Sequence, residues 1–439
     1  MAKQKIQHSP KMAKLTDLFV GGMLSVFLLF PGFHGYQQIT RQKAVLFFLL
    51  TGGYILGALL LRLEDALAGK RQKKPLPPLG LTEKLVLGYW LLTAVSALLS
   101  PYPKTAFLGG ARLEGLVTIS LYCACCLLVS RHCRPKGWML WLFAGAVSLN
   151  CLLAALQLLG YNPLGLYPAG MNYYDGFKLY AGQFLGTVGN VDMLSALLCV
   201  AIPVFAVGAL KLRDRRRFLL LIPLALSLLV LFWAFVSGGV LSVILSAVLC
   251  APVLAENGRL RKILALLTAA VLLLGLVGVY TVGDRVGGFV YEAHQVLHGN
   301  AEDGFGSGRI YIWRKALELV DGHLLLGSGP DTMMLRTDAV FERYDQRLGT
   351  TIRSLVDTAH NEYLNVLVHQ GLPALLCFVG AIAAALALWV KRAPADPVSA
   401  LCGAGVLCYG IQAFFGISSF LSAPYFWLSL AILCAAQTE

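Results

Sequence analysis

Apolar residues dominate this chain in long blocks, and the blocks are interrupted once. Runs of roughly 17 to 23 apolar residues recur as far as about Val282. Each is long enough to cross a hydrocarbon layer about 30 Å thick at about 1.5 Å of rise per residue. About 75 mostly polar residues follow, Gly283 to Thr358, before apolar character resumes after Ala359-His360-Asn361. The pattern predicts twelve spans, near 16–32, 43–61, 85–100, 115–130, 137–159, 190–210, 217–236, 238–255, 262–282, 362–390, 398–418 and 423–437. The third and fourth are short for the purpose.

Lysine and arginine orient the pattern. Basic residues fall at Lys3, Lys5, Lys11 and Lys14, between Arg62 and Lys84, at Arg131 to Lys136, Lys211 to Arg217, Arg259 to Lys262, and Lys391-Arg392. All share one side if twelve spans alternate from a cytoplasmic N-terminus, as the positive-inside rule requires. The expected protein is therefore an all-α polytopic membrane protein with about twelve transmembrane helices and one long extracytoplasmic loop containing short helices. Its regions are 1–282, 283–358 and 359–439, with both termini cytoplasmic.

Composition agrees. A chain 57% hydrophobic and 13% charged, with mean hydropathy +0.70, is no soluble globule. The net charge of +13 does not point to nucleic acid, because the basic excess lies in the cytoplasmic turns, where anionic lipid accounts for it. The loop itself holds eight basic against eleven acidic residues. The eleven cysteines lie in spans except Cys133, so no disulfides are expected, and Cys123, Cys125 and Cys126 lack the spaced partners of a zinc site. Pro31-Gly32-Phe33-His34 is no small-residue cleavage site, and the first span reads as an uncleaved anchor. There is no internal repeat.

A secondary transporter would show charges at mid-membrane and paired broken spans. Between Phe218 and Val282 the only charges sit in the turn Glu256 to Lys262, while Asp17 and Asp192 lie near span ends. Transport is disfavoured on this pattern. The reactive side chains gather instead in Gly283–His360, with seven arginines and four of the eight histidines.

The segment from Gly306 to Val320 reads as a helix after a glycine-rich entry, with Trp313, Ala316, Leu317 and Val320 as its apolar stripe. Arg309 lies one turn before Trp313. Its planar fork suits phosphate oxygens, although spacing alone equally describes an arginine snorkelling beside headgroups. Gly327-Ser328-Gly329 permits a tight turn, with Ser328 or Asp331 as caps for a following helix; it either offers backbone N–H groups to an anion or serves as a corner. His360 opens the tenth span, with Asp357 or Thr358 as its cap. A histidine there is biased toward the neutral imidazole that a general base requires, and Asp357 or Glu362 would orient its other ring nitrogen. In isolation it equally reads as an interfacial anchor. His323 and His369 lack such surroundings. The stretch Tyr161 to Asn190 brings Asp175, Lys178 and Asn190, and Pro101 to Glu114 brings Lys104, Arg112 and Glu114. Neither pairs acidic residues at a metal-ligand spacing, so no metal or other cofactor is indicated.

The order Arg309, Trp313, Leu-Gly-Ser-Gly, Ala359-His360-Asn361-Glu362-Tyr363-Leu364 and Gln370-Gly371-Leu372-Pro373 resembles the O-antigen ligases and Wzy-type polysaccharide polymerases. Gly186-Thr187-Val188-Gly189-Asn190 matches that family's glycine-asparagine approach to an earlier span. The resemblance implies a membrane glycosyltransferase of the GT-C type. Such an enzyme moves a glycan from an undecaprenyl diphosphate carrier to an acceptor hydroxyl on a glycan, lipid or wall polymer, with inversion and without metal. It further implies that Arg309 binds the donor diphosphate and His360 is the base, with Asp357, Asn361, Glu362, Trp313 and Asn190 in support. One departure stands out. Where the family carries a Ser-Arg pair, this chain reads Ser237-Gly238-Gly239-Val240: either Arg353, Arg112 or Lys178 supplies the second cation, or the diphosphate is held differently, or this member is inactive.

Overall fold

The computed structural model describes residues 10–68, 78–110, 112–175, 182–345 and 350–435. Lys178 and the N-terminal Lys3 and Lys5 lie outside them. Sixteen helices account for most of the described chain: α1 (Pro10–Gly22), α2 (Ile39–Leu67), α3 (Leu81–Leu98), α4 (Pro103–Leu108), α5 (Leu116–His132), α6 (Gly137–Leu158), α7 (Val191–Lys211), α8 (Leu221–Ala234), α9 (Ser237–Leu254), α10 (Gly258–Val282), α11 (Gly288–Leu297), α12 (Phe305–Glu318), α13 (Glu362–Gln370), α14 (Leu372–Arg392), α15 (Pro397–Gln412) and α16 (Ala423–Ala435). Helix covers most of each predicted span within the described residues. Eight helical stretches are long and apolar enough to cross a membrane, and α5, α15 and α16 are shorter apolar helices.

Burial sorts these helices. Helix α7 is covered along nearly its whole length by α8, α9 and α15, whereas α10 touches chiefly α9 and has no buried residue. An apolar helix with that much uncovered surface suits lipid on most of its circumference. All eleven cysteines are free thiols.

The region between α10 and α13 holds more than short helices. A β-hairpin, β3 (Val340–Asp345) paired antiparallel with β4 (Thr350–Leu355), stands between α12 and α13, a feature the apolar pattern does not predict (the other two strands, β1 at Phe184–Leu185 and β2 at Gly189–Asn190, form a short pair before α7). This region has its own small core. Ile312, Ala316, Met333, Ala339, Val356 and Ala359 pack with Val368 of α13. Ala316 of the predicted stripe is buried, and Trp313 and Val320 pack against this core together with Ile312, while Leu317 is exposed; Trp313 also meets the Phe414 ring in a T-shaped contact.

The predicted span at 362–390 is broken. Gly371 at φ +85° separates α13 from α14, a conformation that favours glycine. Pro373 carries no N–H, so the carbonyl of His369 loses its helical donor. It accepts instead from Ser96 Oγ (2.9 Å), the Ser328 amide (3.1 Å) and the Gly329 amide (2.9 Å). The Gly327–Gly329 corner is therefore a structural joint, and its amides are not offered to an anion. His369 Nε2 also accepts from the Met333 amide at 3.1 Å.

The same device closes the first helix. Residues of α1 continue through a π-helical turn, Met23–Phe27, and Pro31 leaves the carbonyl of Phe27 without its i+4 donor. Lys43, 1% exposed within α2, fills the gap: Nζ donates to Phe27 O (2.7 Å) and Leu28 O (3.1 Å). Thr187 Oγ1 also donates to Leu28 O (2.7 Å). This buried lysine is a charge that the sequence reading of the spans passed over. Desolvating an ammonium is costly, and apolar replacement of buried charges is sometimes stabilising. Here removal orphans the Phe27 carbonyl, at about 1–3 kcal/mol. We expect Lys43→Met to lower stability by about that amount in thermal unfolding of detergent-solubilised protein; a variant that melts higher would show that desolvation dominates.

Candidate functional site

At the loop end of the bundle lies an open cavity of about 1030 Å³. Gln183 and Asp192 border it from the entry to α7, Ser307, Arg309 and Ile312 from α12, Phe341 and Leu355 from the hairpin, and Val356, Asp357 and His360 from the approach to α13. Its lining thus combines apolar side chains with two carboxylates, a guanidinium and an imidazole. The arrangement brings together Arg309 and His360, which are 51 positions apart in sequence.

Backbone geometry sets the arginine. Gly306, Ser307 and Gly308 all adopt positive φ, and regular helix begins at Arg309. The turn is braced from both sides: Arg309 Nη1 donates to the Gly306 carbonyl (2.7 Å), and the Gly306 amide donates to Glu292 Oε2 (2.9 Å). Gly308 allows a close approach, since a Cβ there would sit 2.5 Å from the Phe341 ring. Arg309 Nε is buried and has no hydrogen-bond partner among the described residues. A guanidinium with a donor left over suits an anionic guest.

His360 occupies left-handed backbone, φ +47°. It precedes α13, whose cap is Asn361: Oδ1 accepts from the Leu364 amide at 3.1 Å. The predicted caps do other work. Thr358 Oγ1 donates to Asn365 Oδ1 (3.0 Å), and Asp357 forms a two-contact ion pair with Arg112 (Nε–Oδ2 3.0 Å, Nη2–Oδ1 3.1 Å). Burial, followed by the nearby Arg112 and Arg309 guanidiniums, pushes the His360 imidazole down to about 4, against the opposing pull of Asp192 and Asp357. The ring is thus neutral at ordinary pH.

The Arg112–Asp357 pair also borders a second space. Behind it lies a polar chamber of about 530 Å³ lined by Arg112, Glu114, Asp331, Glu362 and His369 among others. Asp331, itself at φ +57°, accepts from the amides of Gly110 (2.6 Å) and Glu114 (3.3 Å) and so fixes the loop that carries Arg112. Glu114 Oε1 accepts from Tyr122 Oη (2.8 Å) and the Phe420 amide (2.7 Å). Its burial, with Asp331 nearby, raises the carboxyl to about 8 despite those bonds.

Other predicted residues fall elsewhere. Arg353 is 74% exposed and pairs with Glu342 across the hairpin (2.7 Å), so it does not face the cavity. Glu362 is buried and accepts from Tyr409 Oη (3.2 Å), which leaves neither it nor Asp357 bonded to His360. Asn190 caps α7, accepting from the Asp192 amide (2.8 Å), and thereby places Asp192 at the cavity. Asp192, next to both Arg309 and His360 electrostatically, was read from sequence only as a span-end charge. Its position after a capping asparagine is the signal that would have found it. No group of three or more His, Cys, Asp or Glu side chains among the described residues is placed to hold a metal ion.

A polytopic helical membrane protein with a polar cavity at one end of its bundle is the class these features define. Residues 222–379 match the family model described as O-antigen ligase. That stretch contains Arg309, Trp313 and His360, so the family model supports the resemblance carried by the ordered motifs. No curated protein matches the chain.

The departure at Gly238 has a steric basis. A Cβ there would meet Phe415 Cβ at 2.8 Å, and one at Gly239 would meet Ser195 Oγ at 2.0 Å, so α9 enters the bundle at a point closed to side chains. We expect Gly238→Arg to cost about 1–3 kcal/mol in thermal unfolding, with part of the loss recovered in Gly238→Arg/Phe415→Ala. Wild-type melting of the single variant would show that Phe415 does not close the position.

Proposed function

We propose that this protein is a membrane glycosyltransferase that moves a glycan from undecaprenyl diphosphate to an acceptor hydroxyl on the outer face of the cytoplasmic membrane. The observation that carries the reading is the shared cavity of Arg309 and His360. Support comes from the match of residues 222–379 to the O-antigen ligase family model. In the proposed orientation both termini are cytoplasmic and the 283–358 region extracytoplasmic, as the basic turns require.

In this reading the acceptor oxygen attacks the anomeric carbon as the bond from that carbon to the phosphate oxygen breaks, inverting the centre. The acceptor proton passes to His360 Nδ1 or Nε2, and the electron pair leaves on the carrier diphosphate. Arg309 meets that negative charge, so the chemistry calls on no metal. Arg112 takes the part of the second cation: it borders the site through Asp357, whereas Arg353 is turned away. A base with a pKa of about 4 is weak, but an arriving diphosphate raises it by partly cancelling the two guanidiniums. Asp192 favours the same imidazolium. Acceptors of the ligase kind (a lipid, wall polymer or protein) and of the polymerase kind (another lipid-linked glycan) would use this donor site alike.

The test is glycan transfer by purified protein from undecaprenyl-diphosphate-linked oligosaccharide, with a chelator present. His360→Ala is expected to lose about 10²- to 10⁴-fold and Arg309→Ala about 10²- to 10³-fold. Product length separates ligation from polymerisation. Equal rates in all three proteins would sink the assignment, and donor that binds and crosses vesicles without transfer would favour a transporter. The pH dependence gives a second check. The neutral imidazole is the active form and its pKa is lowered, so in the free enzyme kcat/KM holds as pH falls from neutral and is lost only as pH passes down through about 4. An inflection near the ordinary histidine value of about 6.5 would contradict the burial argument.

A further inference from the structure

Away from the cavity, α11 presents two histidines whose chemistry the proposed reaction does not use. His294 lies in the last turn of α11 and His298, four residues on, is its C-cap residue; their ring centroids are 4.1 Å apart at 34°. His298 stacks in turn on Tyr280 at 4.3 Å and 19°, so that the second ring is held from its other side. Each Nδ1 is engaged with a backbone carbonyl: His294 with Val279 O at 2.9 Å, His298 with His294 O at 2.8 Å. A carbonyl only accepts, so both rings carry their proton on Nδ1. In the neutral state both Nε2 atoms then hold lone pairs, and neither has a hydrogen-bond partner among the described residues. His298 is exposed and His294 half-buried, which leaves the pair open to solvent.

We propose that His294 and His298 together bind a divalent transition-metal ion of borderline softness, such as zinc, copper(II) or nickel, through their two Nε2 atoms, with water completing the coordination. Histidines at i and i+4 on one helical face are a spacing that one such ion can bridge, and imidazole suits these metals. A backbone carbonyl on Nδ1–H is the outer contact that fixes tautomer and ring orientation in metal-binding histidines. A plain aromatic stack would not demand that both rings share that tautomer. At about 2.1 Å from each nitrogen, the ion must lie in the plane of both rings, so binding swings the rings out of their present stack until the two Nε2 edges converge on it. The site also has a mechanical neighbour. Glu292, on the same short helix, holds the amide of Gly306 in the turn that sets Arg309. A metal clip along α11 would stiffen that brace.

The experiment is calorimetric titration of zinc chloride, and separately of copper sulfate, into the full chain purified in detergent without a histidine tag and stripped by chelator. Wild type is expected to take up one equivalent. Removing either ligand, in His294→Ala or His298→Ala, should weaken binding at least about tenfold, while Gln295→Ala binds as wild type. Because the imidazoles must be deprotonated, binding should also fall away on acidification. Metal-free melting of each variant, matching that of wild type, controls for folding. No uptake by wild type, or equal uptake by the His294→Ala/His298→Ala protein, would overturn the proposal.

Discussion

Two carbonyl oxygens that proline has stripped of their helical donors hold this molecule together. Pro31 frees the oxygen of Phe27 at the end of the first helix, and Lys43 takes it. Pro373 frees the oxygen of His369, and Ser96, Ser328 and Gly329 converge on it. In an apolar surrounding an unpaired carbonyl is expensive, so each oxygen specifies which distant segments must meet. The second joint matters most for function. It seats the Gly327–Gly329 corner against the end of α13, and the small core of Ile312, Ala316, Met333 and Val368 closes around that contact. Arg309 and His360 depend on this core for their mutual placement, because α12 carries one and the approach to α13 the other.

The charges at the cavity set two guanidiniums against two carboxylates around a buried imidazole. Arg309 and Arg112 lower the proton affinity of His360, and Asp192 and Asp357 raise it. Asp357 is pinned by Arg112, which in turn rides on a loop fastened by Asp331. Such a site is tuned by its guest: any bound anion shifts the balance among groups that are already held in place, without a rearrangement of the chain. The chamber behind Arg112, with Glu114 and Glu362 in its walls, keeps further carboxylates out of the cavity itself.

The helices were legible because long apolar runs mark them, and helix covers most of each predicted span within the described residues. The break at Gly371 was less so: Gly-Leu-Pro is visible in the sequence, but hydropathy runs straight through it. Lys43 was overlooked because one charge hardly changes an apolar window, while its value lies in two carbonyls 15 and 16 residues away. The hairpin escaped for a related reason, since neither strand alternates cleanly and its apolar contribution is limited to Phe341 and its neighbours. At the site, Arg309 and His360 could be named from their motif. Their common cavity could not, and neither could the separation of Arg353 from it, because both follow from tertiary contacts that leave no local periodicity. Asp192 was hidden behind its own cap, read as a helix start and not as a wall.

His360 combines an exceptional backbone with its chemistry. Its left-handed conformation costs on the order of 1–3 kcal/mol for a residue with a Cβ, and the joint between Ala359 and the Asn361 cap sustains that cost. The two properties can be taken apart. Asparagine visits the left-handed region more readily than alanine, so an asparagine at this position would remove the imidazole while easing the turn, and alanine would remove it while keeping the strain. Any chain in which this position has drifted to asparagine would therefore retain the architecture of the cavity without its imidazole, so that the shape of the site and its proton chemistry can part company through one codon's worth of change.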